Sequence, residues 1–212
     1  MELLESAEKA ARWRRRKTAR PAEILDAALQ VFAEKGFAGA RMEDIAARAG
    51  VTKGTIYLYF QNKEAVFKSL VRDSIGTTLQ GVLEASKTFD GSAKDLLRFV
   101  LTTMGRFMTT SDRIVLVKIV LGESGNFPEL LRFYREEIIA KGLGVLTGVM
   151  AHGMARGEFR QMNPDHAARL CIGPMLLAAL WRVTFAQFDE EPFDYDGYVE
   201  THIQTLLKGL SP

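Results

Sequence analysis

The stretch MEDIAARAGVTKGTIYLYFQ, residues 42–61, decides the fold of this chain. Its apolar residues fit two short helices that cross near a right angle, with Ile45 on the first helix and Ile56 on the second facing inward. Gly50 lies at the turn, where glycine adopts a left-handed backbone without steric cost. Thr52 is suited to cap the second helix. This stretch therefore predicts a helix-turn-helix.

The second of these helices places polar side chains on its outer face. Lys53 and Tyr59 are candidates for base or phosphate contacts, and Tyr57 and Lys63 for anchoring on the phosphate backbone. Gly54 lets the helix approach a base edge, and the first N–H groups of the helix favour a phosphate. The alternative is a helical hairpin buried in a core, with no contact to nucleic acid.

The rest of the chain also predicts helices. Apolar residues recur with a period of 3.6, and Gly, Asn, Asp and Pro clusters separate the segments. Asn62 is suited to cap a long helix over 63–87, whereas four glycines in 128–156 predict a bend or a loose segment there. The predicted helices span 22–35, 42–49, 53–60, 63–87, 93–109, 112–121, 128–156, 165–187 and 195–210.

Composition limits the class of protein. The chain has 212 residues, 47% hydrophobic and 25% charged, which is enough for a substantial core. A single cysteine excludes a disulfide framework and favours a reducing cytoplasm. The N-terminus lacks the pattern of a secretory signal, and the longest apolar run is too short to span a bilayer. We expect a cytoplasmic protein with no membrane partner.

Charge is unevenly distributed along the chain. Residues 9–64 contain twelve Lys and Arg against six Asp and Glu, whereas the remainder to residue 212 is almost neutral. Residues 9–20 contain seven basic residues around Trp13 and no acid. This predicts a basic arm that follows phosphates or lies in the minor groove. A solvated tail that raises only non-specific affinity is an equal alternative, and a membrane-surface helix a weaker one.

Residues 22–67 resemble the DNA-binding domain of TetR/AcrR-type regulators. The resemblance lies in Ile24–Ala28 and Phe32–Phe37, in Ile45-Ala46 and Ala49-Gly50-Val51, and in Gly54-Thr55-Ile56-Tyr57 through Phe60, followed by Lys63-Glu64. It implies an all-α fold, with an N-terminal three-helix DNA-binding domain and a C-terminal helical domain for ligand binding and dimerisation. The implied boundaries are a basic arm over 1–19, the DNA-binding domain over 20–66 and the helical domain over 67–212.

Carried over by position, the resemblance implies that groove and phosphate contacts come from the helix-turn-helix and its flanks. The predicted DNA-binding residues are Arg41, Met42, Thr52, Lys53, Gly54, Thr55, Tyr57, Tyr59 and Lys63. The family often has hydroxyl residues before the first helix of the motif, where this chain has Ala40 and Arg41. Arg41 is suited to replace the phosphate contact, but the hydroxyl cap is lost.

The middle helices are rich in methionine and aromatic residues, which suit an adaptable apolar pocket. The alternative is an ordinary core, and the resemblance favours a pocket for a small-molecule effector. The predicted lining comprises Phe99, Met104, Phe107, Met108, Phe127, Phe133, Tyr134, Met150 and Met154.

The segment 165–187 is apolar nearly all round, so both its faces must be buried. A partner subunit would cover one face, which favours a homodimer on a palindromic DNA operator with two half-sites. A core helix of a monomer is the alternative. The predicted dimer contacts are Ala178, Ala179, Trp181, Arg182 and Phe185.

Two other classes of function are less consistent with the sequence. The three histidines lack metal-ligand spacing, and no nucleophile elbow or phosphate loop is present, so we expect no enzyme, no cofactor and no metal. Cys171 lies in an apolar helix, as packing cysteines do. A protein that only compacts DNA would not need the large methionine-rich C-terminal part. The resemblance implies a repressor, although the residues themselves do not separate repression from activation.

Overall fold

A computed structural model describes the backbone of residues 2–123 and 125–212, and the side chains of residues 21–123 and 125–212. The side chains of the predicted basic arm, over 1–19, lie outside the described residues. The described part is helical and contains no strand, as the sequence predicts. It divides into two compact units, Met1–Val71 and Arg72–Pro212. The division falls a few residues beyond the predicted boundary at residue 66.

Residues 2–71, the described part of the first unit, form four helices. A kink at Gly36, where φ is +69°, interrupts the first of them and confirms the break predicted at this glycine. The third helix is shorter than predicted, and its chain continues as hydrogen-bonded turns to Phe60. The helices are α1 (Glu2–Gly39), α2 (Met42–Arg48), α3 (Lys53–Tyr57) and α4 (Lys63–Val71).

Three phenylalanines form the centre of this unit. The rings of Phe32, Phe37 and Phe67 lie with centroids 5.5–5.8 Å apart, and each is at most 1% exposed. Ile45 and Ile56 are fully buried beside them, as predicted for the inward faces of α2 and α3. Gly50 has φ of +63° at the turn, which confirms why glycine is needed there. The three rings join α1 to α4.

The described residues of the second unit form seven α-helices and four short helical segments. Helicity continues from α4 through a π-helical segment (Arg72–Gly76) into the first of these helices, so the predicted 63–87 helix contains a π bulge. Two 3₁₀ turns lie at Asp112–Ile114 and Ala186–Phe188. The helices are α5 (Thr77–Lys87), α6 (Ala93–Thr110), α7 (Val115–Gly122), α8 (Pro128–Tyr134), α9 (Ala140–Ala155), α10 (Pro164–Thr184) and α11 (Tyr195–Leu210).

The predicted bend in 128–156 lies elsewhere than expected. A second π-helical segment, Arg135–Ile139, joins α8 to α9, and α9 itself runs through its glycines as an α-helix. Gly153 has a packing reason, because a Cβ there would lie 2.1 Å from Cδ2 of Phe159. The glycines therefore do not loosen the helix.

The core of the second unit lies between α6, α9, α10 and α11. Leu97, Leu146, Cys171 and Ile203 are fully buried in it. Two stretches, Pro128–Ala155 and Pro164–Thr184, are long and apolar enough to cross a membrane by length and composition, a test that core helices of soluble proteins also pass. Both stretches include charged residues, so they are longer than the uninterrupted apolar run considered in the sequence.

Candidate functional site

The outer surface of the helix-turn-helix begins at the N-terminus of α3. Thr52 caps this helix as predicted, since its hydroxyl accepts a hydrogen bond from the backbone N–H of Thr55 at 3.2 Å. The two hydroxyls lie 2.9 Å apart. Lys53 and Gly54 follow, both exposed, and Tyr57 is 43% exposed on the next turn. Tyr59 is half-buried. The predicted contact residues of α3 therefore share one accessible surface.

Gly54 has no internal reason to be glycine. Its backbone is not left-handed, and a Cβ there would meet only Oγ1 of Thr52, at an ordinary distance of 3.9 Å. Gly50 differs, because its positive φ makes any other residue strained. A glycine that the fold does not require fits close approach by something outside the chain.

The basic residues of this surface are held by acids. Lys53 Nζ lies 2.7 Å from Oε1 of Glu43, and Lys35 Nζ lies 2.9 Å from Oδ1 of Asp44. The hydrogen bond from Lys53 lowers the pKa of Glu43, and the same bond raises the pKa of Lys53. Lys35 likewise lowers the pKa of Asp44. These ion pairs orient the two lysine side chains. A phosphate can compete with the carboxylates for the lysine ammonium groups.

The start of α2 corrects one prediction. Met42 is 6% exposed and belongs to the core, so its side chain cannot reach DNA. Arg41 is exposed at the N-cap, and its guanidinium has no acceptor with which to cap the helix. Asp44 supplies the reciprocal bond instead, accepting from the Arg41 backbone N–H at 3.2 Å. Arg41 thus remains available on the surface for a phosphate.

Lys63 lies in a different setting from the one predicted. Its ammonium donates to the carbonyl oxygens of Phe37, Ala38 and Ala40 at 2.7, 3.0 and 3.2 Å, and lies 4.8 Å from the centroid of the Phe37 ring. It therefore ties the start of α4 to the segment that leads into α2. A phosphate contact by Lys63 stays a prediction.

Leu58 is a surface residue that the sequence reasoning missed. It is 82% exposed at the end of α3, between Tyr57 and Tyr59. Its position beside two predicted contact residues is the signal that would have found it. An apolar side chain on such a surface suits the methyl group of thymine.

A second candidate site is an apolar cavity of about 270 Å³ inside the second unit. Its walls come from α6, α7, α8, the π segment Arg135–Ile139, α9 and α10. An adjoining cavity of about 60 Å³ shares six of its lining residues and extends to Ile75 and Thr78. The shared residues are Met104, Met108, Val117, Tyr134, Ile138 and Gly142.

The cavity contains fewer of the predicted residues than expected. Met104, Met108 and Tyr134 line both parts, and Phe107 lines the smaller one. The other predicted residues do not line either part. Phe99 stacks on Phe89 at the surface, Phe127 caps α8, and Phe133 lies under the Arg72 guanidinium. Met150 and Met154 fill the core. Periodicity marks buried faces, but it does not tell which of them border a void.

The third candidate surface is the outer face of α10 and the turn after it. Its exposed apolar residues recur every three to seven positions, and they are Leu170, Leu177, Trp181, Phe185 and Phe188, each 43–78% exposed. Trp181 and Phe185 are two of the residues predicted to contact a partner subunit. Ala178 and Ala179 are buried within the chain, so that part of the prediction was wrong. Arg182 donates to the carbonyl oxygen of Ser111 and faces inward as well.

Residues 21–123 and 125–212 hold no cluster of three or more His, Cys, Asp or Glu that could bind a metal. Burial raises the pKa of the Cys171 thiol to about 11, which keeps it protonated near neutral pH. His202 Nε2 lies 2.8 Å from the Cys171 carbonyl oxygen, as in a packed core.

In the comparison with known proteins, a family model matches each of the two units. The family model for bacterial regulatory proteins of the tetR family matches residues 24–70. The model for the C-terminal domain of AefR-like transcriptional repressors matches residues 95–208. The chain is 31% identical over 188 residues to the fatty acid metabolism regulator protein of Bacillus subtilis (strain 168), covering 89% of this chain and 94% of that protein.

Solved structures agree with these matches. The transcriptional regulator FadR from Bacillus subtilis, in complex with stearoyl-CoA, has a TM-score of 0.74 and 27% identity, covering 89% of this chain and 98% of that chain. The fatty acid degradation regulator FadR from Bacillus halodurans has a TM-score of 0.72 and 25% identity, covering 89% and 94%. With a helix-turn-helix surface and both family models matched, the chain belongs to the TetR/AcrR family and is a DNA-binding transcriptional regulator.

Proposed function

We propose that this regulator is a cytoplasmic homodimeric repressor that binds a palindromic operator and is released by an effector with a long apolar chain. The observation that carries the effector class is the cavity of about 270 Å³, whose walls are almost entirely apolar. Two relatives are named as fatty acid regulators, and the transcriptional regulator FadR from Bacillus subtilis was solved in complex with stearoyl-CoA. A flexible hydrocarbon chain is the ligand that such walls suit.

The proposed dimer rests on the face of α10. Leu170, Leu177 and Trp181 follow one another along this helix and remain 65%, 63% and 43% exposed. A continuous apolar stripe of this kind is uncommon on a monomer and typical of an interface. A two-fold dimer would present two copies of α3 to two half-sites. We expect Leu177→Glu to yield a monomer in light scattering, with operator affinity strongly reduced.

The proposed release begins at the smaller cavity. Ile75, in the π segment Arg72–Gly76, lines this cavity, and Met104 and Met108 stand between it and the larger one. Methionine side chains move readily, so the hydrocarbon chain of the effector can displace them and press on the π segment. Helicity continues from this segment back to Lys63, which gives a route to the DNA-binding unit. An effector acts only through its different affinities for the two states.

The experiment starts with selection of bound DNA from a random pool, followed by release of the selected operator. Enrichment of a palindrome, and its release by stearoyl-CoA or a shorter acyl-CoA, is expected. If no palindrome enriches at moderate salt, a general DNA-compacting protein becomes the better interpretation. If a palindrome enriches but no acyl compound releases it, the effector class is wrong and the repressor proposal stands.

A further inference from the structure

We propose that Arg169 binds the anionic head group of the effector at the mouth of the larger cavity. The effector class is then a single-chain amphiphile with an anionic head, its hydrocarbon chain lying inward. This inference rests on the proposed function, because it names the ligand chemistry of the same cavity.

One charged residue contributes to the almost entirely apolar lining of this cavity. Of the described residues that line it, Arg169 is the one with a charge, and Tyr134 is the one other polar side chain. Tyr134 is 6% exposed, and it also lines the smaller cavity, so it marks the inner part of the space. The walls are almost entirely apolar, so Arg169 borders the cavity with its aliphatic part and its guanidinium lies at the edge.

Several exposed lining residues mark the open side of the cavity. Leu121, Leu131 and Ile139 line the cavity while remaining 52%, 36% and 40% exposed. In contrast, Val120 and Leu146 also line the cavity, but these two residues are only 3% and 0% exposed. Arg169 is itself exposed, so it belongs to the open side. An amphiphile that enters here keeps its head near water and buries its chain.

The guanidinium is available for an anion. Nη1 of Arg169 donates to the carbonyl oxygen of Asp165 at 2.9 Å, which positions the side chain along α10. Within the described part of the chain, Arg169 forms no ion pair, and the Asp165 carboxylate accepts from Oγ1 of Thr147 at 3.0 Å. The remaining N–H groups match the two oxygens of a carboxylate or a phosphate.

Two sources can supply this anion. A free fatty acid offers its carboxylate at the end of the chain, whereas an acyl-CoA offers phosphates beyond a thioester. Both share an anionic oxygen group joined to one hydrocarbon chain, and the probes below separate them.

The test compares dodecanoate, dodecanoyl-CoA and uncharged dodecanol with the full-length protein and with Arg169→Gln. Calorimetry gives each affinity, and fluorescence anisotropy gives release of the selected operator. Arg169→Gln is expected to weaken binding of the recognised anion roughly 10- to 100-fold, since charge-assisted bonds of this kind have that magnitude. Dodecanol affinity and operator affinity without ligand are expected to stay unchanged. Whichever anion loses affinity identifies the head group.

Arg132→Gln is the matched control, because Arg132 is exposed on α8 and does not line the cavity. The control is expected to bind every probe like the natural protein. If dodecanol releases the operator as well as the anions do, or if Arg169→Gln binds both anions unchanged, the inference is wrong while the proposed function stands. If no probe binds the natural protein, the effector class fails and the inference fails with it.

Discussion

Lys53 Nζ and Glu43 Oε1 are 2.7 Å apart on the exposed surface of the helix-turn-helix, one at the start of α3 and the other in the first turn of α2. The pair places a carboxylate beside the lysine that we predict to contact DNA. On binding, a phosphate must compete with this carboxylate for the ammonium. Glu43 therefore positions Lys53 and also weakens its attraction for DNA.

We expect Glu43→Gln to tighten DNA binding roughly two- to fivefold, because exposed ion pairs are weak but the negative charge is removed from the binding surface. Fluorescence anisotropy with operator and with random DNA measures the gain. Glu34→Gln is the control, since Glu34 pairs with Arg48 instead of Lys53. Equal gains in both variants would mean that net charge alone is responsible.

Gly54→Ala is expected to leave the thermal stability unchanged or slightly higher and to weaken operator binding at least about tenfold. The fold does not require glycine there, and a methyl group on this surface would hold the helix away from the groove. Gly50→Ala is the contrasting variant, expected to cost about 1–2 kcal/mol of stability because its φ is +63°. Unchanged operator binding by Gly54→Ala would contradict close approach at this position.

Lys63→Met is expected to destabilise the DNA-binding unit by about 1–3 kcal/mol, since three backbone carbonyls lose their donor. Thermal unfolding measures the loss. The dependence of operator affinity on salt, taken where the variant is still folded, separates this role from a phosphate contact. A structural lysine leaves the slope unchanged, whereas a lysine on phosphate lowers it by about 0.9.

Gly142→Leu is expected to fill the cavity and to weaken effector binding at least about tenfold, with operator affinity retained. Gly142 lines both cavities, and a Cβ there makes only ordinary contacts, at 3.8 Å to Met104 and 3.9 Å to Leu79. Gly148→Leu serves as the control on the same helix, because a Cβ there meets nothing within 4 Å and the residue does not line the cavity. Loss of effector binding in both variants would indicate a general effect on α9.

Local sequence predicted the parts of the molecule whose causes are local. The left-handed turn at Gly50 follows from backbone sterics, and the cap of α3 at Thr52 from a hydrogen bond within three residues. The inward faces at Ile45 and Ile56 follow from helical period. The exposure of Lys53, Gly54 and Tyr57 was therefore predictable from twenty residues, whereas the burial of the Met42 side chain was not.

Other features depend on residues far apart in the chain, and no local pattern reveals them. Lys63 meets carbonyl groups more than twenty residues away. The cavity is what remains when six helical elements fail to fill the space between them, so Phe133 and Met150 could not be excluded from its lining by their residue type.

The sequence by itself determined the helix-turn-helix and the all-helical class, because capping, turns and periodicity act over a few residues. The tertiary structure alone decided which side of α10 is free, burying Ala178 and Ala179 while Leu177 and Trp181 remain exposed. It also decided that Arg169 lines an apolar cavity while remaining exposed. Both depend on how distant helices pack against one another.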